Sequence, residues 1–279
     1  MNLTQKNILL ILFYSVTIFF VLITYEDYGV HIEEKFHRLN GHYWLNYISK
    51  IFGFLDIQQI TENKIKEISD FSLSSVAVYN KYGILFDLPT ALIEILFNLN
   101  DVQTIYYLKH LLSFFIFLVG SFFFFKILQQ RYNFFFSFVG LFLYVTTPRI
   151  FGDSFLYKDV LFLSFFSITF YFLIKSILKL NYKNLLFFAV FTSLSFNLKF
   201  FAILIPFFYT FIIIIKNFYL NNYINNFKKI IFYLFWFFIF SYIFWPYLWS
   251  DPLNNFLDLF SSVKNDLVNV KILYDGNYI

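Results

Sequence analysis

The chain contains no cysteine, and only 14% of its 279 residues are charged. The first absence excludes disulfides, thiolate nucleophiles and cysteine-ligated metal. The second, set against 59% hydrophobic residues and 47 phenylalanines, leaves too little polar surface for a soluble fold of this size. No Gly/Ser linker and no internal repeat divides the chain, so residues 1–279 read as one domain. No small-residue cleavage site follows the first apolar run. Tyr25-Glu26-Asp27 stands there instead, which marks Asn7 to Thr24 as an uncleaved transmembrane helix with Lys6 on the cytoplasmic side. His31, His37 and His42 form neither HExxH nor any familiar zinc spacing. The net charge of +4 is modest and gathers in connecting segments, unlike a nucleic-acid-binding surface. The abundance of Phe, Ile, Asn and Lys fits an AT-rich genome, so the aromatics are not read as a binding code.

What is present is a series of apolar runs. After the first come segments at about 105–125, 134–145, 160–174, 185–196, 200–215 and 230–247, several shorter than the ~20 residues that span a bilayer. The class expected is all-α: a polytopic transmembrane helical bundle with a large extracytoplasmic first loop at 25–104. Lys126 with Arg131, then Lys175, Lys179 and Lys183, then Lys216, Lys228 and Lys229 would all be cytoplasmic by the positive-inside rule. That places Pro148–Asp159 and the end of the chain on the side of the first loop. It also makes Tyr82–Leu99, apolar but broken by Asp87, Pro89 and Glu94, an interfacial or re-entrant helix. Phe36, Leu39, Tyr43 and Tyr47 recur at helical spacing, with Trp44 and Ile48 widening the face, and predict a second interfacial helix lying apolar side down. Asp56–Asn80 is the most polar part of the loop. Residues 248–279 follow an aromatic belt, Trp245-Pro246-Tyr247-Leu248-Trp249, and read as the start of a second outer loop in a longer protein.

Two constellations carry candidate chemistry. Four carboxylates and two of the chain's four histidines fall between Glu26 and Arg38, directly after the first span. Helical spacing sets Glu33 against His37 and Glu34 against Arg38. A carboxylate paired with histidine in a partly dehydrated cleft can act as general base on a hydroxyl, or share a divalent cation with a phosphate. As a solvated surface helix, the same pairs would contribute only a few tenths of a kcal/mol each. The second constellation runs from Arg149 through Asp153 and Lys158 to Asp159, between two apolar segments. Its cations suit a lipid phosphate, while Asp159 at a helix start can orient it or bind an ion. Asp87, Glu94, Lys109, His110, Asn197 and Lys199 lie within or beside apolar stretches, where such groups usually face the protein interior. Lys199 and His110 can instead snorkel to an interface.

Several short motifs, taken in order, resemble the GT-C superfamily of membrane glycosyltransferases, most closely its protein-mannosyltransferase and lipid A aminoarabinose-transferase branch. They are Ile32-Glu33-Glu34 with Asn40-Gly41-His42-Tyr43-Trp44, Tyr82-Gly83-Ile84-Leu85-Phe86-Asp87-Leu88-Pro89, and Lys109-His110-Leu111-Leu112. Pro148-Arg149-Ile150-Phe151-Gly152 through Lys158-Asp159 follows, and then Trp245-Pro246-Tyr247-Leu248-Trp249. The resemblance implies transfer of a sugar from a polyprenyl-phosphate donor to a hydroxyl of a protein, lipid or glycan acceptor, on the periplasmic face of a bacterial inner membrane. It implies Glu33 as base, although the chain has Glu-Glu where the family usually has Asp-Glu. Glu34 would assist, or with Asp159 hold a divalent cation such as magnesium or manganese. Arg149, Lys158 and Asp159 would contact the donor phosphate, with His37, Asp87, His110 and Asp153 in support. A flippase of lipid-linked sugars and a non-catalytic membrane protein are the alternatives.

Overall fold

The computed structural model describes residues 2–31, 33–68, 83–156, 158–220, 223–265, 273–274 and 277–278. Long apolar runs become helices here because a backbone surrounded by apolar groups has to satisfy its N–H and C=O groups within the segment. Helix α1, Leu3–Thr24, opens on a capping box in which the Asn2 side chain accepts from the Gln5 amide and the Gln5 side chain returns the bond. It ends in a 3-10 turn, Tyr25–Asp27. Three short helices follow: α2, Glu34–Phe52; α3, Leu55–Ile68; and α4, Asp87–Leu96. Next come α5, Val102–Leu128; α6, Phe134–Thr146; α7, Pro148–Asp153; α8, Asp159–Leu178; and α9, Tyr182–Leu198. A 3-10 turn at Phe200–Ile203 leads into α10, Leu204–Leu220, and α11, Tyr223–Phe244. Helices α12, Tyr247–Ser250, and α13, Pro252–Asn265, precede a two-residue antiparallel ladder that pairs Leu273 with Tyr278 and Tyr274 with Asn277.

The protein is thus helical, and four helices are long and apolar enough to cross a membrane: Leu3–Asp27, Val102–Leu128, Asp159–Leu178 and Phe227–Phe244. This is compatible with an integral membrane protein. Phe19, Phe135 and Phe207 are exposed on outer faces, as lipid-facing side chains would be. The runs at 134–145, 185–196 and 200–215 form shorter helices. At 13 residues, α6 is only ~20 Å long against ~30 Å of hydrocarbon.

The long helices pack in sequence, α5 on α8, α8 on α9 and α9 on α11. One core gathers Phe114, Phe117, Phe125 and Leu141 beneath α1, and a second gathers Phe188, Phe196, Tyr233 and Phe237. Gly120 sets the α5–α8 approach, because a Cβ there would lie 2.5 Å from Ser164 Cα. Small residues at such crossings let helix backbones come close. Gly120→Val is therefore expected to destabilise the protein by about 1–3 kcal/mol, read as a lowered unfolding midpoint in detergent; an unchanged midpoint would mean that the crossing is loose.

The three short helices form a polar layer over one end of this bundle, with α2 packed on both α3 and α4. Gly41 brings α2 against α4, since a Cβ there would meet the Asp87 carbonyl oxygen at 2.3 Å. Here the structure corrects the periodicity reading. The side of α2 turned inward is largely polar, with Glu34, His37, Arg38, Asn40, His42 and Asn46 all buried, while Phe36, Tyr43, Tyr47 and Ile48 are only half-buried. Leu39 and Trp44 of the apolar stripe are buried as well, so α2 is anchored by apolar and polar side chains together. Its polar face is taken up by the Asp87 and Glu94 carboxylates of α4, by His110 of α5 and by Thr61 of α3. Tyr82, Tyr157 and residues 69–80 lie outside the described residues.

Candidate active site

The site begins where α1 ends. Tyr28 stacks on Phe155 with ring centroids 3.8 Å apart, and Phe155 stacks in turn on Phe114 of α5 at 5.3 Å. Phe155 and Phe114 are fully buried, so this aromatic stack fixes the exit of α1 beside the turn that leads into α8. Glu33 immediately precedes α2 and Lys158 immediately precedes α8. Their side chains meet, Lys158 Nζ donating to Glu33 Oε2 at 3.0 Å. Asp159 begins α8 and lies 2.6 Å from Nζ of Lys199, which follows α9. Arg149 donates through Nε to Asp153 one turn along α7, at 2.5 Å. Between these groups is a cavity of about 360 Å³. Glu33, Glu34, His37, Arg149, Lys158 and Asp159 line it, as do Asp153 and Lys199. The two constellations, 125 positions apart at the Glu33–Lys158 contact, face a single space.

Behind the cavity the side chains of the polar layer are buried. Glu34 is paired not with Arg38 but with His110 of α5, whose Nε2 is 3.2 Å from Oε2. His37 is paired not with Glu33 but with Asp87, Nδ1 to Oδ2 at 3.2 Å, and Asn40 donates to the same oxygen at 2.9 Å. Arg38 grips Glu94 through Nε and Nη2, and His42 Nε2 lies 3.2 Å from the same carboxylate. The i,i+4 pairs expected from spacing are thus replaced by partners from α4 and α5, because α2 is sandwiched rather than solvated. His110 is buried and does not snorkel. Lys109 Nζ is buried with no hydrogen-bond partner among the described residues, within electrostatic reach of Asp87, Glu34 and Glu94.

These environments separate the two carboxylates of α4. Desolvation pushes the Asp87 carboxyl up from 3.8 to about 7, against the charge of Lys109 and the Asn40 hydrogen bond. Desolvation acts on Glu94 as well, but the hydrogen bonds from His42 and Arg38 outweigh it and hold that carboxyl down at about 2. Burial, then the charges of Lys109 and Lys158, lowers His37 well below its ordinary 6.5, leaving the imidazole neutral at neutral pH. The His37–Asp87 contact therefore holds a proton that is gained or lost around neutrality, one hydrogen bond away from the cavity.

Neither a family model, nor a characterised protein, nor a solved structure matches the chain.

The site is accordingly read from its own geometry. Glu34 faces His110 and Asp159 faces Lys199, and no group of three metal-ligating side chains occurs among the described residues. Lys199, for which the sequence allows an interior-facing or a snorkelling side chain, completes the cationic wall. The signal was its position just past an apolar helix and Asn197. Asn197 is a positioning residue: its Oδ1 accepts from the Leu85 amide at 2.9 Å and its Nδ2 donates to the Phe244 carbonyl at 2.9 Å. Those two bonds tie the segment before α4 to the end of α11.

Proposed function

We propose that this is a polytopic membrane glycosyltransferase that moves a sugar from a polyprenyl-phosphate donor to an acceptor hydroxyl, with its cavity on the outer face of a bacterial inner membrane. One observation carries the reading: three cations, Lys158, Lys199 and Arg149, converge on one cavity and each is held by a carboxylate, Glu33, Asp159 and Asp153 respectively. Such an arrangement suits a site that admits an anion, because each carboxylate keeps its cation ordered until a phosphate displaces it. Lys158 has the added consequence that its transfer to the donor phosphate releases Glu33. The freed carboxylate takes the proton of the acceptor hydroxyl, and the oxygen attacks the anomeric carbon. The bond from that carbon to phosphate oxygen breaks, and its electron pair leaves on the phosphate, beside Lys158, Lys199 and Arg149. Attack opposite the leaving group inverts the anomeric centre. His37, hydrogen-bonded to Asp87, and Glu34, bonded to His110, hold the floor of the site in place. Lys109 and His110 lie in the first half of α5 rather than at its middle, which favours this reading over a flippase.

The test is proteoliposomes of the full protein supplied with radiolabelled polyprenyl-phosphate sugars, together with a comparison of surface glycans from cells with and without the gene. Time-dependent consumption of donor with release of polyprenyl phosphate is expected. Lys158→Met should raise the donor KM by about 10–100-fold, the worth of one charge-assisted hydrogen bond. An unconsumed donor and an unchanged glycan profile would overturn the proposal.

A further inference from the structure

The far end of the same bundle holds a second polar cavity, of about 620 Å³, lined by Lys126, Lys175 and Lys179 and by the amides of Gln129, Gln130, Asn181 and Asn184. It lies between the C-termini of α5 and α8 and the start of α9. Helix α8 has Asp159 of the first cavity at its start and Leu178 of the second at its end, so the length of the helix, 20 residues or ~30 Å, separates the two. That is about the hydrocarbon thickness of a bilayer.

Charge distinguishes the two cavities. The first balances cations with carboxylates; among the described residues no acidic side chain lines the second. None of the chain's 17 carboxylates falls in residues 1–25, 102–152 or 160–250, the segments that build this end. Among the described residues no anion holds the three lysines, and two of them rest on softer partners. Lys126 Nζ donates to Gln129 Oε1 at 3.4 Å and lies 5.2 Å from the Phe122 ring, and Lys175 sits 4.5 Å from the Tyr171 ring. Lys216 Nζ donates to the Ile177 carbonyl at 2.7 Å, covering the C-terminus of α8 nearby. Tyr171 and Leu178 supply an apolar lip, and the Leu178 side chain is turned outward, 72% exposed.

We propose that this cavity binds the phosphate headgroup of an anionic membrane lipid, with the three lysines on the phosphate, the amides on glycerol hydroxyls, and Tyr171 and Leu178 against the upper acyl chain. A net-negative phosphate matches a wall of lysines without carboxylates, and the position at the end of a membrane-length helix places such a headgroup within reach. The shared chemistry is a phosphate anion, which a soluble phosphate also carries, so the experiment separates the two. The site rests on the apolar bundle and its charge distribution, not on sugar transfer, and it stands or falls separately from that activity.

The full chain in detergent is titrated with short-chain phosphatidylglycerol or phosphatidylcholine and the bound lipid counted by native mass spectrometry. Phosphatidylglycerol is expected to bind at least about tenfold more tightly than phosphatidylcholine, and millimolar inorganic phosphate should leave it bound. The Lys126→Gln/Lys175→Gln/Lys179→Gln variant should lose on the order of a hundredfold in affinity, about fivefold per lysine. Replacement of the same three by arginine should retain it, as should Lys158→Gln at the other end. Should the triple glutamine variant fail to fold, Lys179→Gln alone, an exposed position, still has to show its fivefold loss. Equal affinity for the two lipids, an unaffected glutamine variant, or displacement by inorganic phosphate would each overturn the assignment.

Discussion

Glu33→Gln is expected to lower the rate of the proposed sugar transfer by about 10²–10⁴-fold, the usual contribution of a general base, while leaving donor binding and stability near wild type. The substitution keeps the size of the side chain and an oxygen for the Lys158 ammonium, now 3.0 Å from Oε2. What it removes is the basic lone pair. Glu33 is also only partly buried, with 37% of its side chain exposed, so no unpaired buried charge is created. The informative comparison is with Glu34→Gln. Glu34 is buried against His110, and losing its charge should lower stability and activity together. A rate loss at Glu33 with an unchanged unfolding midpoint therefore separates proton transfer from scaffolding. Transfer at the wild-type rate would remove Glu33 from that role. A loss confined to KM would make it a binding residue.

The parts of this fold that could be read from sequence are those whose signal is local. Long apolar runs announce α1, α5 and α8 because length and composition alone decide whether a helix can span a bilayer. The convergence of Glu33 with Lys158 was accessible because the lysines at helix ends alternate in a way that puts both loops on one side. Pairings inside the polar layer were not accessible. Periodicity shows that α2 has two faces, but it does not say whether the polar face meets water or other polar groups. Here Asp87 and Glu94 arrive from 50 and 56 residues away, and His110 from the following span. The helical spacing of Glu33 with His37 and Glu34 with Arg38 was correct as geometry and misleading as chemistry, since stronger partners were delivered by packing. Helix α13 escaped for a related reason. Its anchors, Phe256 and Leu259, make sense only once Phe196 and Phe200 are placed opposite them.

Arg38→Met is expected to destabilise the protein by about 3–5 kcal/mol, whereas Arg38→Met combined with Glu94→Leu should recover most of that loss. Arg38 is 4% exposed and Glu94 2%, and the guanidinium meets both carboxylate oxygens. Removing the cation alone strands a buried charge, while removing both leaves two apolar groups and no unpaired carboxylate between them. His42, 3.2 Å from Glu94, and Lys64, at 3.8 Å, soften the single loss without replacing a bidentate partner. In the double variant Lys64 still has Glu67 at 3.5 Å, and His42 is left neutral by its burial. Acid titration gives an independent check. With Glu94 at about 2 in the folded protein and 4.5 as its ordinary value, the unfolded chain binds the extra proton between those limits. Stability from this group is complete above 4.5 and lost as pH falls toward 2, a slope that Arg38→Met should flatten. Asp87 acts with opposite sign. Its folded value of about 7 against 3.8 means that the folded state binds the extra proton between them, so stability falls as pH rises through that window. Asp87→Asn should remove that decline. Unfolding midpoints of the wild type and the three variants in one detergent, measured from acid to neutral pH, test both signs at once. A double variant no more stable than Arg38→Met would show that the pair positions α2 on α4 through its geometry, beyond the cost of an unpaired charge.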